Sequence, residues 1–271
     1  MKLIIKNSMI TIGCLLLSFS VFASPHKRID YKKELPPALA NHFELIAAVG
    51  IANGHAGDSD IAITSSEIDE LVQTNRNNFN TWVGQFGVGY VYYIPYTQGF
   101  SSTIRWFPAI EPELNLYYSA NHIRGDINRF GDPAFNEFNY RSTVTTTRLM
   151  FDVALTILSN DPFSLFVKAG VGNAWSKVSY HDFANGSIPC ILTDVNLRDR
   201  HQSKFVWEVG AGFAYAINHR SKISLEYLYT DFGSLKLPSS IESTSLTTPQ
   251  IAPSSFNFNT QAILLGIHVG L

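Results

Sequence analysis

The sequence predicts an all-β chain, an eight-stranded antiparallel transmembrane up-and-down β-barrel, and three observations lead there. Charged residues are only 15% of the 271, against roughly a quarter in ordinary soluble domains. Apolar residues alternate with polar or small ones at period two through eight successive segments, the signature of strands with two unlike faces. Long polar connections alternate with tight turns along the chain. Other classes fall away on composition. A net charge of −2 and a pI near 6.4 give no basic field for nucleic acid, so no nucleic-acid partner is expected. The 45% hydrophobic and 13% aromatic content exceeds that of disordered chains. A mean hydropathy near zero leaves no room for several membrane helices. Two cysteines, Cys14 and Cys190, cannot build a disulfide framework or a cysteine-rich metal site.

Residues 1–23 read as a cleavable export signal: Lys2 and Lys6 open it, Ile10 to Val21 form its apolar core, and Val21-Phe22-Ala23 is a small-x-small exit. Cys14 lies inside the apolar core without a lipobox before it. Residues 24–41, with four basic side chains and Pro36-Pro37, form a periplasmic N-terminal arm. Residues 42–271 then form the barrel.

The eight strands run roughly over His42–Gly54, Phe79–Ile94, Ala109–Asn121, Asn139–Ile157, Phe163–Tyr180, Phe205–Asn218, Ile223–Lys236 and Phe256–Leu271. Residues 55–78, 122–138, 181–204 and 237–255 are expected as four long extracellular loops. Ser159-Asn160-Asp161-Pro162 and His219-Arg220-Ser221-Lys222 have the length and chemistry of turns. The connection from Pro95 to Pro108 is longer and rich in aromatics. Long loops at one end and short turns at the other, with an even strand count, place both termini on the periplasmic side.

Strand parity assigns the faces. In the sixth segment Phe205, Trp207, Val209, Ala211, Phe213, Tyr215 and Ile217 share one side, opposite Val206, Glu208, Gly210, Gly212, Ala214 and Ala216. An eight-stranded barrel is only just wide enough inside for side chains to fill it, so the small set is expected inside and the aromatic set against lipid. Gly87-Val-Gly-Tyr, Gly170-Val-Gly-Asn and Gly210-Ala-Gly-Phe repeat the device, with the glycines pointing in where packing is close. None is followed by the helix and third glycine of a dinucleotide loop. Trp82, Tyr90, Tyr92, Tyr117, Tyr118, Trp175, Trp207, Tyr215, Tyr227 and Tyr229 are expected on the outer face or near strand ends, where amphipathic rings suit the membrane interfaces.

These segments resemble the eight-stranded outer-membrane barrels of the OmpA transmembrane domain and opacity-protein type over nearly the whole mature chain. The most specific match is Leu225-Glu-Tyr-Leu-Tyr-Thr-Asp-Phe-Gly233, which is similar to the family's penultimate-strand pattern. The chain departs from the family in ending on Leu271 where an aromatic is usual, and in carrying no peptidoglycan-binding domain after the barrel. The resemblance implies a monomer in the outer membrane, in contact with outer-membrane lipid, lipopolysaccharide and the barrel-assembly machinery.

Parity also sends Glu44, Glu113, Arg148, Asp152, Lys168, Glu208 and Glu226 inward. Charges in so dry a place must be paired and hydrogen-bonded, so a lumen ion-pair network is expected in which Arg148 and Lys168 serve several carboxylates. His42 and His268 are expected inside near the periplasmic rim. Such a network either plugs the barrel or gates a narrow ion-conducting pore. A lipid A-modifying enzyme is weighed on His201-Gln-Ser203, which lacks the Asn that follows in the deacylase pattern, and nucleophilic chemistry would also need a base within reach of the serine. His55, His122, His181 and His219 are scattered without ligand spacing, so neither a metal nor any cofactor is expected. Arg124-Gly125-Asp126, at the start of the second long loop, is a candidate adhesion tripeptide for host or environmental ligands. The sequence therefore points to a non-enzymatic surface protein with a structural or contact role, a soluble periplasmic ligand-binding barrel being the weaker alternative.

Overall fold

In the computed structural model, the structure describes residues 41–57, 59–64, 67–74, 79, 81–94, 104–184, 196–218, 220–238 and 254–271. The expected export signal and nearly all of the arm lie outside the described residues. Among the described residues there are ten strands: β1 (His42–Ala56), β2 (Ser59–Thr64), β3 (Glu67–Gln73), β4 (Thr81–Tyr93), β5 (Arg105–Asn128), β6 (Asn136–Asn160), β7 (Phe163–Ala184), β8 (Asn196–Asn218), β9 (Ser221–Lys236) and β10 (Ser255–Gly270). Eight of them form an antiparallel ring in the order β5-β4-β1-β10-β9-β8-β7-β6, and the β5–β6 pairing closes it. Closure leaves no unpaired strand edge within the ring, the condition for crossing lipid with strands.

The register fixes the stagger. Moving across the ring from Glu44 through Gly89, Glu113, Asp152, Gly170, Glu208, Thr230 and Thr260 returns to β1 at Gly54, ten residues beyond residue 44. A shear of this size tilts the strands strongly and sets the narrow bore of an eight-stranded barrel. The row is also chemically uneven, because Glu44, Glu113, Asp152 and Glu208 all lie on it and all point inward.

Outward parity matches a lipid-facing wall. Leu45, Val49, Val88, Leu114, Phe151, Val171, Phe213, Leu225 and Leu265 are all exposed although large and apolar, which is sustainable around a whole cylinder only in a hydrocarbon solvent. Aromatic pairs rim the two ends of this band: Phe43–Tyr90 and Phe163–Tyr215 at the short-turn end, Trp82–Tyr118 and Trp207–Tyr229 at the other, with ring centroids 4.9–5.7 Å apart. Tyr117 is a correction to the expected outer set. It points inward and is fully buried.

The strands run further than the loop boundaries expected from sequence. β5 continues to Asn128, β6 begins at Asn136, β7 reaches Ala184 and β8 begins at Asn196, so much of the second and third connections is strand. Between β5 and β6 only two 3-10 turns remain, Arg129–Gly131 and Pro133–Phe135, the second capped by the Asp132 carboxylate accepting from Ala134 N at 2.9 Å. The first connection contains the β2–β3 hairpin, whose β3 pairs with the outer end of β5. Polar residues in these stretches read as loop because neither face is lipid-facing there, and the period-two contrast between greasy and small side chains is lost.

A second correction concerns what fills the interior. Beyond the ionic rows, the outer half of the barrel is packed with large apolar side chains: Phe232, Phe258, Leu228, Leu235, Val144 and Val178 are all fully buried. The sequence motif ending in Gly233 explains part of this. Gly233 takes φ +64° and the register against β10 slips between Asn257 and Asn259, a bulge in which the Asp231 carboxylate accepts the Gly233 N–H at 2.7 Å. Phe232 keeps the inward parity of Glu226, Leu228 and Thr230, and the extra residue then shifts parity so that Leu235 also points in.

Candidate functional site

The lumen is the most concentrated chemistry among the described residues. At its middle, Arg148 on β6 sits across the strand pair from Tyr117 on β5 and from Ala174 on β7. The small Ala174 leaves room for the guanidinium, whose carbon lies 4.1 Å from the Tyr117 ring centroid and 5.8 Å from that of Phe232. Its Nε forms an ion pair with Glu208 Oε2 at 3.2 Å, and that oxygen accepts a hydrogen bond from Thr230 Oγ1 at 3.2 Å. Arg148, Glu208, Tyr117 and Phe232 are each at most 2% exposed. Burial on this scale makes the pair tolerable only because charge, ring faces and hydroxyl are all supplied together.

Next to it, Lys168 Nζ meets Glu226 Oε1 at 2.7 Å and Glu113 Oε2 at 3.9 Å, and donates to the Tyr117 hydroxyl at 3.3 Å. Glu113 and Asp152 are directly opposite in the β5–β6 register. Like charges so placed repel. Asn115 relieves the contact by donating its amide to Glu113 Oε2 at 2.8 Å and to Asp152 Oδ2 at 2.7 Å.

The inward glycines make room for these groups. A Cβ on Gly170 would fall 1.7 Å from Asp152 Oδ1, and one on Gly87 would fall 1.9 Å from Asn115 Oδ1. The first glycine of each Gly-x-Gly repeat, Gly87, Gly170 and Gly210, is therefore the floor on which a polar side chain lies, Asn115, Asp152 and Glu226 in turn, and a methyl group at these three has no space.

Glu44 belongs to a separate group at the periplasmic rim rather than to the Arg148 and Lys168 cluster. There Lys222 Nζ bridges Glu44 Oε2 at 3.1 Å and Glu111 Oε2 at 2.7 Å. His268 Nδ1 approaches Glu44 at 3.3 Å, its Nε2 contacts Ser224 Oγ at 3.0 Å, and His42 Nε2 contacts the other Glu44 oxygen at 3.2 Å. Glu44, Glu111 and His268 together have the donor types of a metal centre, but the Lys222 ammonium already occupies the space between the two carboxylates, so the residues do not fit a cation there. Sequence reasoning missed Lys222 because it sits at a turn, and missed Glu111, Asn115 and Tyr117. Strand parity was the available signal, since all three lie on the inward side of β5 with Glu113.

The remaining sequence candidates fall outside the lumen. Ser203 lies on the outer face, where its hydroxyl exchanges hydrogen bonds with the Asn173 amide at 2.8 and 3.0 Å. His201 shares that face two residues away, next to Lys177 across the strand pair. Arg124-Gly125-Asp126 is within β5 rather than in a loop. Gly125 is opposite Gln73 on one side and Tyr140 on the other, and a Cβ on it would fall 2.0 Å from Val72 O. Above the membrane band Tyr140 and Tyr180 stack inside with centroids 5.9 Å apart. Burial, with Asp182 nearby, pushes the Tyr180 hydroxyl well above its ordinary pKa.

A family model described as outer membrane protein beta-barrel domain matches residues 48–260. Among solved structures, Neisserial surface protein A is similar at 11% identity and a TM-score of 0.34, over 86% of this chain and 99% of that one. The outer membrane protein AlkL is similar at 11% identity and a TM-score of 0.35, over 91% and 97%. Ail, the attachment invasion locus protein of Yersinia pestis, is similar at 14% identity and a TM-score of 0.28, over 84% and 99%. No curated protein matches the sequence.

Proposed function

The chain belongs to the outer membrane protein beta-barrel domain family, and from that premise we propose that it is a closed outer-membrane barrel whose role is structural and surface contact rather than transport or catalysis. The observation that carries this reading is the stack across the bore. Arg148, Tyr117, Phe232 and Phe258 fill the cross-section with side chains at most 2% exposed, and two ionic clusters lie on the periplasmic side of it. A solute entering from the periplasm meets packed rings and paired charges at this level. What the molecule offers to its surroundings is then its outer wall and the strand extensions above the membrane. Host or environmental ligands meet those extensions.

The outer-membrane location of the family supports export through the signal at residues 1–23, with the barrel inserted by the assembly machinery. Planar-bilayer recordings test the reading. The wild-type barrel is expected to give no single-channel steps, and conductance that disappears on Arg148→Met or Lys168→Met would replace it with a gated pore.

A further inference from the structure

We infer that Ser224, inside the short-turn end of the barrel, is an activated nucleophile and the acceptor of a short acyl group from a reactive ester. This goes beyond the structural role and leaves it intact, because a single acylation is not turnover.

Three adjacent strands bring the groups together. Ser224 is near the start of β9, His268 near the end of β10 and Glu44 near the start of β1, and the register sets them diagonally side by side. All three are buried in the lumen. The Ser224 hydroxyl is 3.0 Å from His268 Nε2, and His268 Nδ1 is 3.3 Å from Glu44 Oε2. A carboxylate beside Nδ1 keeps the ring proton on that nitrogen. Nε2 then accepts the Ser224 O–H, which is the order of nucleophile, base and orienting acid that activates a serine. Glu44 is itself held, by Lys222 Nζ at 3.1 Å and by His42 Nε2 at 3.2 Å. Ser203, by contrast, hydrogen-bonds to the Asn173 amide, which is not a base.

Small neighbours make room for the hydroxyl and for what it would carry. Gly266 is directly opposite Ser224 on β10, and a Cβ on it would fall 2.5 Å from Ser224 Oγ. Ser224 thus leans towards His268 through space that only a glycine leaves open. On its other side Ser224 is opposite Ala214 on β8. Ala214, Ser164, Phe166, Lys222 and His268 line one recess in the lumen. Phe166 and Ala214 give a short acyl chain an apolar floor, and two carboxylates, Glu44 and Glu111, around the single Lys222 ammonium disfavour an anionic donor.

In the step itself, Ser224 Oγ attacks the carbonyl carbon of the ester while its proton passes to His268 Nε2. The bond from that carbon to the leaving oxygen breaks, and the alcohol departs with the proton from His268, leaving acyl-Ser224 and a neutral ring. β9 is paired on both sides at Ser224, so the backbone N–H groups there are engaged in the sheet and form no oxyanion hole. The donor must therefore carry a good leaving group. A serine ester has a poor one, and the acyl group stays.

The test uses full-length mature protein folded in detergent micelles, where both ends of the barrel meet the reagent, with p-nitrophenyl acetate as the donor. Acetylated peptides are located and timed by mass spectrometry. Ser224 is expected to react about a hundredfold faster than Ser203. The p-nitrophenol release that depends on Ser224, the part lost in Ser224→Ala, is expected to end at one equivalent. His268→Gln should bring Ser224 down to the Ser203 rate, and Gly266→Ala, which crowds the hydroxyl but leaves every ionic group in place, should do nearly the same. Glu44→Gln should slow the reaction less than His268→Gln does, with partial recovery in Glu44→Asp, a pattern that general loosening of the rim does not give. Each variant is read on the folded band of an unboiled gel, so a folding defect is not mistaken for lost reactivity. An unmodified Ser224 in wild type, a rate equal to that of Ser203, or undiminished acetylation in His268→Gln would overturn the assignment. Release that continues past one equivalent would overturn the stoichiometric reading and, with it, the non-catalytic role proposed for the chain.

Discussion

Arg148 sits over the Tyr117 ring, its guanidinium carbon 4.1 Å from the ring centroid, in a barrel where both side chains are buried. The two are directly opposite on β6 and β5. One cation thus meets a ring on one face and the Glu208 carboxylate at its edge, and this contact closes the bore.

Arg148→Met should destabilise the barrel by about 3–5 kcal/mol, because Glu208 is left charged and buried without its cation. Arg148→Met/Glu208→Gln should recover most of the loss. Urea unfolding in detergent or vesicles, followed by the heat-dependent gel mobility of folded barrels, measures both. Equal losses in single and double variants would show that the pairing does not matter.

Gly170→Ala should cost about 1–3 kcal/mol, since the added methyl falls on Asp152 and must displace it. Gly84→Ala is the control. Its nearest neighbour is Trp82 at 3.4 Å, on the lipid side, and its effect should stay within about 0.5 kcal/mol. The same unfolding assay compares them.

Phe232→Ala should cost about 3–5 kcal/mol through the cavity it leaves beside Phe258, whose ring centroid is 5.2 Å away. Phe232→Leu should cost much less. Reversal of that order in urea midpoints would remove the interior role given to the ring.

Leu265→Arg, in the middle of β10 on the outer wall, should cost about 2–4 kcal/mol in vesicles. The inward neighbour Leu264 is 1% exposed and Leu264→Ala should also destabilise, but equally in detergent and in bilayers. A lipid dependence confined to position 265 distinguishes the two faces.

Much of the ring was legible in the sequence. The outer face of β8, from Phe205 to Ile217, and the outer face of β10, from Ile263 to Leu271, are exposed as parity assigns them, because hydrocarbon demands large apolar groups at every second position. The glycines of the Gly-x-Gly repeats in β4, β7 and β8 are inward for the same geometric reason. The strand extensions were not legible. Above the membrane both sides of β5 to β8 are polar or mixed, so Arg124-Gly125-Asp126 reads as loop although it is paired on both sides. Parity also fails after Gly233, where one left-handed residue reverses the faces of β9 and sends Leu235 inward beside Phe232, into a lumen expected to hold only small or ionic groups. Within the site, Arg148, Lys168, Glu208 and Glu226 follow from counting. Lys222 does not, because a basic residue at a turn ordinarily points to water, and only the tilt of the strands brings it over Glu44 and Glu111.

Tryptophan fluorescence in vesicles with brominated acyl chains tests the inside-out arrangement most directly, because all four tryptophans, Trp82, Trp106, Trp175 and Trp207, are on the outer wall and 41–57% exposed. The account predicts strong quenching of the folded protein by bromine in the chains and little by aqueous iodide. Emission indifferent to bromolipid, in a protein that remains folded, would contradict it.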